Sequence, residues 1–166
     1  MNTLMAIRMR AGLVLWACAL LAAVLAVTVQ AAAPPAATVA QVAGRWLTEP
    51  RDGIIEVTVS PEGALEGRIV GGNHPGRLDA KNPDPAARTK ELRGQVILKG
   101  MAFEGDSRWS GGTIYDPDSG STYKCNVELR ADGTLKVRGY IGFSLLGKNQ
   151  VWTRYTGTSL DLPPAR

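Results

Sequence analysis

The chain has 166 residues, a length typical of a single domain. Its 19 basic and 15 acidic residues give a net charge of +4, and two of the basic residues, Arg8 and Arg10, lie in an N-terminal segment that we expect to be removed. The remaining 17 basic and 15 acidic residues leave a charge of +2 with no dense basic stripe, which argues against a nucleic-acid-binding protein.

The N-terminal segment has the order of a secretory signal. Residues 1–10 contain two arginines and no acid, residues 11–29 carry no charge, and small residues follow in "VQAAAPPAA". This pattern predicts a signal peptide over residues 1–33, cleaved after Ala31 or Ala33, and a periplasmic or secreted protein. The 19 uncharged residues would also span a bilayer, so an uncleaved inner-membrane anchor is the alternative.

The mature chain is then predicted to begin with a short linker over residues 34–41. Eight strand candidates follow, most of them joined by short turns that contain glycine, and no stretch shows a long helical period. The alternation is clearest in "IIEVTVS" and "STYKCNVELR". The candidates cover residues 44–49, 54–60, 64–70, 94–103, 108–116, 121–130, 134–141 and 149–155.

This meander predicts an all-β fold, an eight-stranded antiparallel up-and-down barrel over residues 42–156 with a C-terminal tail over 157–166. The connections after the second, fourth and sixth strands are tight, whereas those after the first, third, fifth and seventh include the long "GGNHPGRLDAKNPDPAARTKELR". We therefore expect a cup with one closed end and one mouth, and the mouth of a barrel is a common small-molecule site.

The motif "DPDSG" lies between the fifth and sixth strands and raises the question of a calcium site. Pro117 suits the second position of a tight turn, and Gly120 suits a residue with positive φ. A calcium loop of the EF-hand kind would need a glutamate at its twelfth position, where Val127 stands. We therefore predict a turn and no metal ion.

The start of the first strand resembles that of the lipocalins. "GRW" at residues 44–46 is similar to the Gly-x-Trp of that family, in which the tryptophan plugs the closed end and a basic residue of the last strand packs over it. The resemblance implies that Gly44, Trp46 and Arg154 form a structural closed end, with Arg154 and Trp46 as cation–π partners. The long loop departs from the lipocalin pattern, because it follows the third strand instead of the first.

A second resemblance covers residues 42–155. "GRWLTE", "NPDPAARTKELRG", "WSGGTIYDPDSGSTY" and "GTLKVRGYIGFSLLGKNQVWTR" resemble the DUF2147 family of small exported bacterial proteins. That resemblance implies a lipocalin-like barrel and a periplasmic address, and it implies no established reaction. A cysteine pair common in the family is absent, since Pro61 and Glu66 stand near its places.

The sequence offers no catalytic constellation, so we expect no enzyme and no cofactor. His74 is the single histidine and lies in a loop, and "GFSLL" fails as a nucleophile elbow at its last position. A carboxylate pair of the glycosidase kind stays open, because only spatial separation decides it. We interpret the charged residues of the long loop as a solvated face, and a site for an anionic head group is the alternative.

Ligand binding is the favoured function class. The residues near the predicted mouth are the candidates for contact with a small hydrophobic or amphipathic ligand, namely Tyr115, Tyr123, Cys125, Ile141 and Phe143. The alternative is a cell-envelope interaction or structural protein with a filled barrel that binds its partner through the loops. Cavity volume separates the two.

Two further expectations concern single features. Phe143, Leu145 and Leu146 place three apolar side chains on one mouth loop, where they would touch a membrane or envelope partner, or fold inward as a plug. Cys125 is the single cysteine of the mature form, which excludes an intrachain disulfide there. It alternates with Lys124 and Asn126, and we expect its thiol inside the barrel.

Overall fold

The computed structural model describes residues 33–142 and 147–164. The predicted signal peptide therefore lies outside the described residues except for Ala33, as do Phe143, Leu145 and Leu146 of the mouth loop. No helix in the described part of the chain combines the length and hydrophobicity that crossing a bilayer requires.

Eight antiparallel strands form a closed barrel, which confirms the predicted fold class. Each strand pairs with its neighbours in sequence, and β1 pairs with β8 through Trp46–Arg154 and Leu47–Thr153. The strands are β1 (Gly44–Leu47), β2 (Gly53–Val59), β3 (Leu65–Gly72), β4 (Val96–Gly105), β5 (Arg108–Asp116), β6 (Ser121–Leu129), β7 (Leu135–Tyr140) and β8 (Gly147–Arg154).

Alternation decides which side chains enter the barrel. On β6, Cys125, Val127 and Leu129 are buried while Lys124 is exposed, as the sequence pattern predicts. The tight turns after β2, β4 and β6 lie at one end, and there the interior is filled. The fully or nearly fully buried side chains of the core include Trp46, Leu65, Leu98, Met101, Trp109, Val127 and Leu135.

The segment predicted as a linker instead contains most of a short helix, α1 (Ala36–Val42). Val42 at its end is fully buried in the barrel core, and its carbonyl accepts a hydrogen bond from Trp46 Nε1 at 2.9 Å. The guanidinium of Arg154 donates to the carbonyls of Gln41 and Ala43. The helix therefore forms because its last residue is buried and the carbonyls at its C-terminal end accept hydrogen bonds from Trp46 and Arg154.

The C-terminal tail contacts the end of β3 and the end of the long loop. Residue Asp161 forms an isolated parallel bridge with Gly72, and the amide of Gly72 donates to Leu160 O at 2.9 Å. Asp161 forms an ion pair with Arg93, at the end of the long loop. The tail thus continues the edge of β3 beyond the point where its pairing with β4 ends.

Candidate functional site

A cavity of about 470 Å³ lies in the mouth of the barrel, at the end opposite the tight turns. Its walls come from the upper parts of the strands and from the connections after β1, β3, β5 and β7. Apolar side chains form its inner part, and they are Ile55, Ile69, Ile97, Ile114, Val137 and Trp152. This volume falls in the range of ordinary small-molecule sites, about 300–1,000 Å³.

Polar groups surround the apolar part of the cavity. Cationic groups are contributed by Arg77, Arg93 and Lys148, and carboxylates by Asp52, Asp116 and Asp118. His74 also belongs to this rim and is exposed, which agrees with its interpretation as a loop surface residue. An apolar interior below a polar rim suits a molecule that has one apolar and one polar end.

The long loop between β3 and β4 folds against the β5–β6 turn and completes one wall. Arg77 Nη2 contacts Asp118 Oδ1 at 2.5 Å, and Lys81 Nζ donates to Asp118 O at the same distance. "DPDSG" is thus a turn, as predicted: Gly120 has a φ of 71°, and its amide donates to Asp116 O at 2.8 Å. The motif also anchors the long loop through these contacts of Asp118.

The buried carboxylate of Asp79 links the same loop to β5. Asp79 is only 1% exposed, and it accepts hydrogen bonds from Tyr115 Oη and Asn82 Nδ2, both at 2.6 Å. Burial, followed by the hydrogen bond to Asp79 and its charge, raises the pKa of Tyr115 to about 12. Tyr115 therefore keeps its proton at neutral pH and remains the donor to Asp79. The loop also contains a 3-10 turn over Pro85–Ala87.

The predicted ligand residues divide into three groups. Tyr115, Tyr123 and Ile141 contribute to the cavity lining, and Ile141 is 68% exposed at the rim. Cys125 does not reach the cavity and is fully buried in the core instead. It lies deeper because β6 runs from the mouth to the closed end and Cys125 is two residues further along this strand than Tyr123. Phe143 lies outside the described residues.

The closed end contains the three residues that the lipocalin resemblance singles out. The guanidinium carbon of Arg154 lies 3.9 Å from the ring centroid of Trp46, which is fully buried. Gly44 has a φ of 115°, a conformation that disfavours a side chain, and a Cβ there would lie 3.0 Å from Arg154 Nη1. Glycine at this position lets the arginine lie over the tryptophan.

Sequence reasoning missed Lys148, Gln150 and Trp152 as cavity residues. All three lie on the same face of β8 as Arg154, two residues apart. The expected contact of Arg154 with Trp46 would therefore have identified them as inward-facing residues. Asp79 had no comparable local signal, and the interpretation of the long loop's charged residues as a solvated face is wrong for it, because it is buried against Tyr115 and Asn82. Within residues 33–142 and 147–164, no group of three or more His, Cys, Asp and Glu side chains could hold a metal ion.

Comparisons with known proteins agree with this architecture. Protein HP1028 from the human pathogen Helicobacter pylori, described as belonging to the lipocalin family, matches the structure with a TM-score of 0.63 at 21% sequence identity. The match covers 69% of this chain and 83% of that chain, and at this identity it shows the fold alone. No curated protein matches the chain. The family model described as "Uncharacterized protein conserved in bacteria (DUF2147)" matches residues 44–154, and the chain therefore belongs to the DUF2147 family.

Proposed function

We propose that the protein is an exported lipocalin-like protein that binds a small hydrophobic or amphipathic ligand in the mouth of its barrel. The observation that carries the proposal is the cavity of about 470 Å³ with an apolar interior and a polar rim. Eight-stranded barrels have an interior just wide enough for side chains or for one small ligand. In this barrel, side chains fill the closed end, and the mouth end has room for a ligand.

The division of the interior favours ligand binding over a filled barrel. The closed half holds the largest side chains, among them Trp46 and Trp109, whose indole N–H groups donate to Val42 O and Gly63 O. The mouth half leaves a cavity of about 470 Å³, and it includes a glycine, Gly139, at which a Cβ would meet only ordinary contacts. A barrel that served only as a rigid support for its loops would need no such volume.

The ligand proposal is tested by filling the cavity. Ile114 contributes to the lining, whereas its neighbour Thr113 pairs with the exposed residues Lys99 and Lys124 and faces outward. We expect Ile114→Trp to weaken binding of the neutral fluorescent probe N-phenyl-1-naphthylamine by at least about tenfold, equivalent to about 1.4 kcal/mol. Thr113→Trp is the matched control and should bind as the parent does.

The measurement is a fluorescence titration, with circular dichroism to show that both variants are folded. Equal probe affinity in the parent and a folded Ile114→Trp variant would contradict ligand binding in this cavity. Native mass spectrometry of the protein purified from its own cell envelope complements the titration, because it would show a bound small molecule directly.

Export is the second part of the proposal and is supported by the basic, apolar and small-residue order of residues 1–33. We expect N-terminal sequencing of the protein recovered from the periplasmic fraction to begin at Ala32 or Pro34. A chain that begins at Met1 in that fraction would instead indicate the uncleaved membrane anchor.

A further inference from the structure

Three side chains on the inner face of β8 line the cavity, and their polarity decreases with depth. Lys148, Gln150 and Trp152 alternate along the strand, and all three contribute to the lining. Lys148 lies opposite Gly139 and Gln150 lies opposite Val137 in the register with β7. Because Gly139 has no side chain, β7 does not cover the inner surface beside Lys148. The wall thus changes from cationic at the rim to polar and then to aromatic in depth.

The amide of Gln150 has a fixed orientation. Trp152 Nε1 lies 2.7 Å from Gln150 Oε1, and an indole N–H can only donate a hydrogen bond. The amide oxygen must therefore face the indole, which leaves the two hydrogens of the Nε2 group for another acceptor. Among the residues that the structure describes, none accepts a hydrogen bond from this nitrogen. Relative to the described residues, the wall presents an oriented donor that is available to a ligand.

The charges of the rim single out Lys148. Arg77 pairs with Asp118 and Arg93 pairs with Asp161, so these two cations are already neutralised. Within residues 33–142 and 147–164, Lys148 forms no ion pair. Among the described lining residues, Lys148 is therefore the cation whose charge is available to a ligand.

The carboxylates of the rim are engaged as well. Asp52 accepts a hydrogen bond from Thr48 Oγ1 at 2.6 Å. Asp116 accepts from the hydroxyl of Ser119 and the amide of Asp118. These acids belong to the turns after β1 and β5, whereas Lys148 and Gln150 belong to β8. Both carboxylates therefore already accept hydrogen bonds from donors close to them in sequence.

We propose that the ligand is an amphipathic carboxylate whose head group binds Lys148 and Gln150 and whose apolar tail packs in the cavity with Trp152 at its inner end. The inference rests on the proposed ligand-binding function of the same cavity. An ammonium and an amide donor on one wall match the two oxygens of a carboxylate, and hydrogen bonds to a charged acceptor are the stronger kind. The apolar side chains of the lining, together with Trp152, would receive the tail.

The test compares three dodecyl compounds that differ in head-group charge. Laurate, dodecyltrimethylammonium and the neutral dodecyl ether of tetraethylene glycol are used below their micelle concentrations to displace N-phenyl-1-naphthylamine from the full chain. We expect laurate to displace the probe at a concentration about tenfold below that of the neutral ether, because one charge-assisted contact typically contributes this much. Dodecyltrimethylammonium should be the weakest.

Three variants separate the head-group contacts from the cavity. Lys148→Met should weaken laurate by about tenfold and leave the neutral ether unchanged, and Lys148→Arg should restore laurate. Gln150→Glu keeps an oxygen for Trp152 Nε1 but replaces the free donors with a carboxylate oxygen, so it should weaken laurate at least as much and strengthen the ammonium compound. Lys124→Met, which removes an exposed lysine from the outer face of β6, is the control and should change none of the three.

The outcomes distinguish this inference from the proposed function. Equal displacement by laurate and the neutral ether, with laurate unaffected by Lys148→Met and Gln150→Glu, would overturn the carboxylate assignment while leaving ligand binding intact. Preference for dodecyltrimethylammonium would overturn it in the same way. If neither the fluorescent probe nor any dodecyl compound binds, the proposed function fails and the head-group assignment fails with it.

Discussion

Replacing Trp46 with alanine is expected to lower the free energy of unfolding by about 3–5 kcal/mol, the usual cost of truncating a buried tryptophan. Trp46 is fully buried, and its indole N–H donates to Val42 O at 2.9 Å. It also occupies the seam of the barrel, where β1 and β8 are joined by only two residue pairs. The substitution would therefore leave a cavity at the point where the sheet has least pairing.

Urea denaturation followed by circular dichroism measures this effect. Trp46→Phe keeps a ring under Arg154 but loses the hydrogen bond to Val42, so its loss should be smaller than that of the alanine variant. Arg154→Met removes the cation above the ring and should cost about 1–2 kcal/mol, since cation–π contacts are weaker than core burial. A Trp46→Ala variant with the parent's midpoint would contradict the plug role of this residue.

Cys125 is expected to react with a thiol reagent roughly 1,000-fold more slowly than an exposed cysteine at pH 8. Its side chain is fully buried, and burial raises its pKa to about 12. A free cysteine has a pKa near 8.5, so the thiolate that attacks the reagent is scarcer by about three orders of magnitude in the folded protein. In the oxidising compartment that the proposed export implies, this low reactivity would let a single thiol persist.

Labelling with a bulky, charged disulfide reagent measures this reactivity in the expected mature form, which contains Cys125 as its single cysteine. The control is the double variant Lys124→Cys, Cys125→Ser, which moves the thiol by one residue to the exposed face of β6 and should label within seconds to minutes. Urea should make Cys125 reactive. Rapid labelling of native Cys125 would show that it is accessible and that the register of β6 is wrong.

The register of this strand illustrates what a local pattern can establish. In "STYKCNVEL" the apolar and polar residues alternate, and a strand turns alternate side chains to opposite faces, so the burial of Cys125, Val127 and Leu129 follows from the sequence. The alternation does not tell how deep each residue lies. Tyr123 reaches the cavity and Cys125 does not, because the depth of a position depends on its neighbours in β5 and β7.

The helix over Ala36–Val42 shows the opposite case. Its seven residues carry no charge and show no helical period long enough to predict it, and a helix of this length has little stability in isolation. It is held by the burial of Val42 and by the donors of Arg154 at the far end of the chain. The N-terminal segment was therefore predicted as a linker, since the partners that make it helical are remote in sequence.

The sequence by itself determined the all-β class, the number and order of the strands, the closed and open ends and the turn at "DPDSG", because alternation and turn residues act over a few neighbouring positions. Only the tertiary structure decided that the interior is filled at one end and hollow at the other. That outcome depends on which side chains from eight strands reach the same level. It also decided that Asp79 is buried against Tyr115, a contact between residues 36 positions apart. Only the tertiary structure decided that the donors of Lys148 and Gln150 face a cavity. Whether these donors meet an acceptor depends on strands that come together only when the barrel closes.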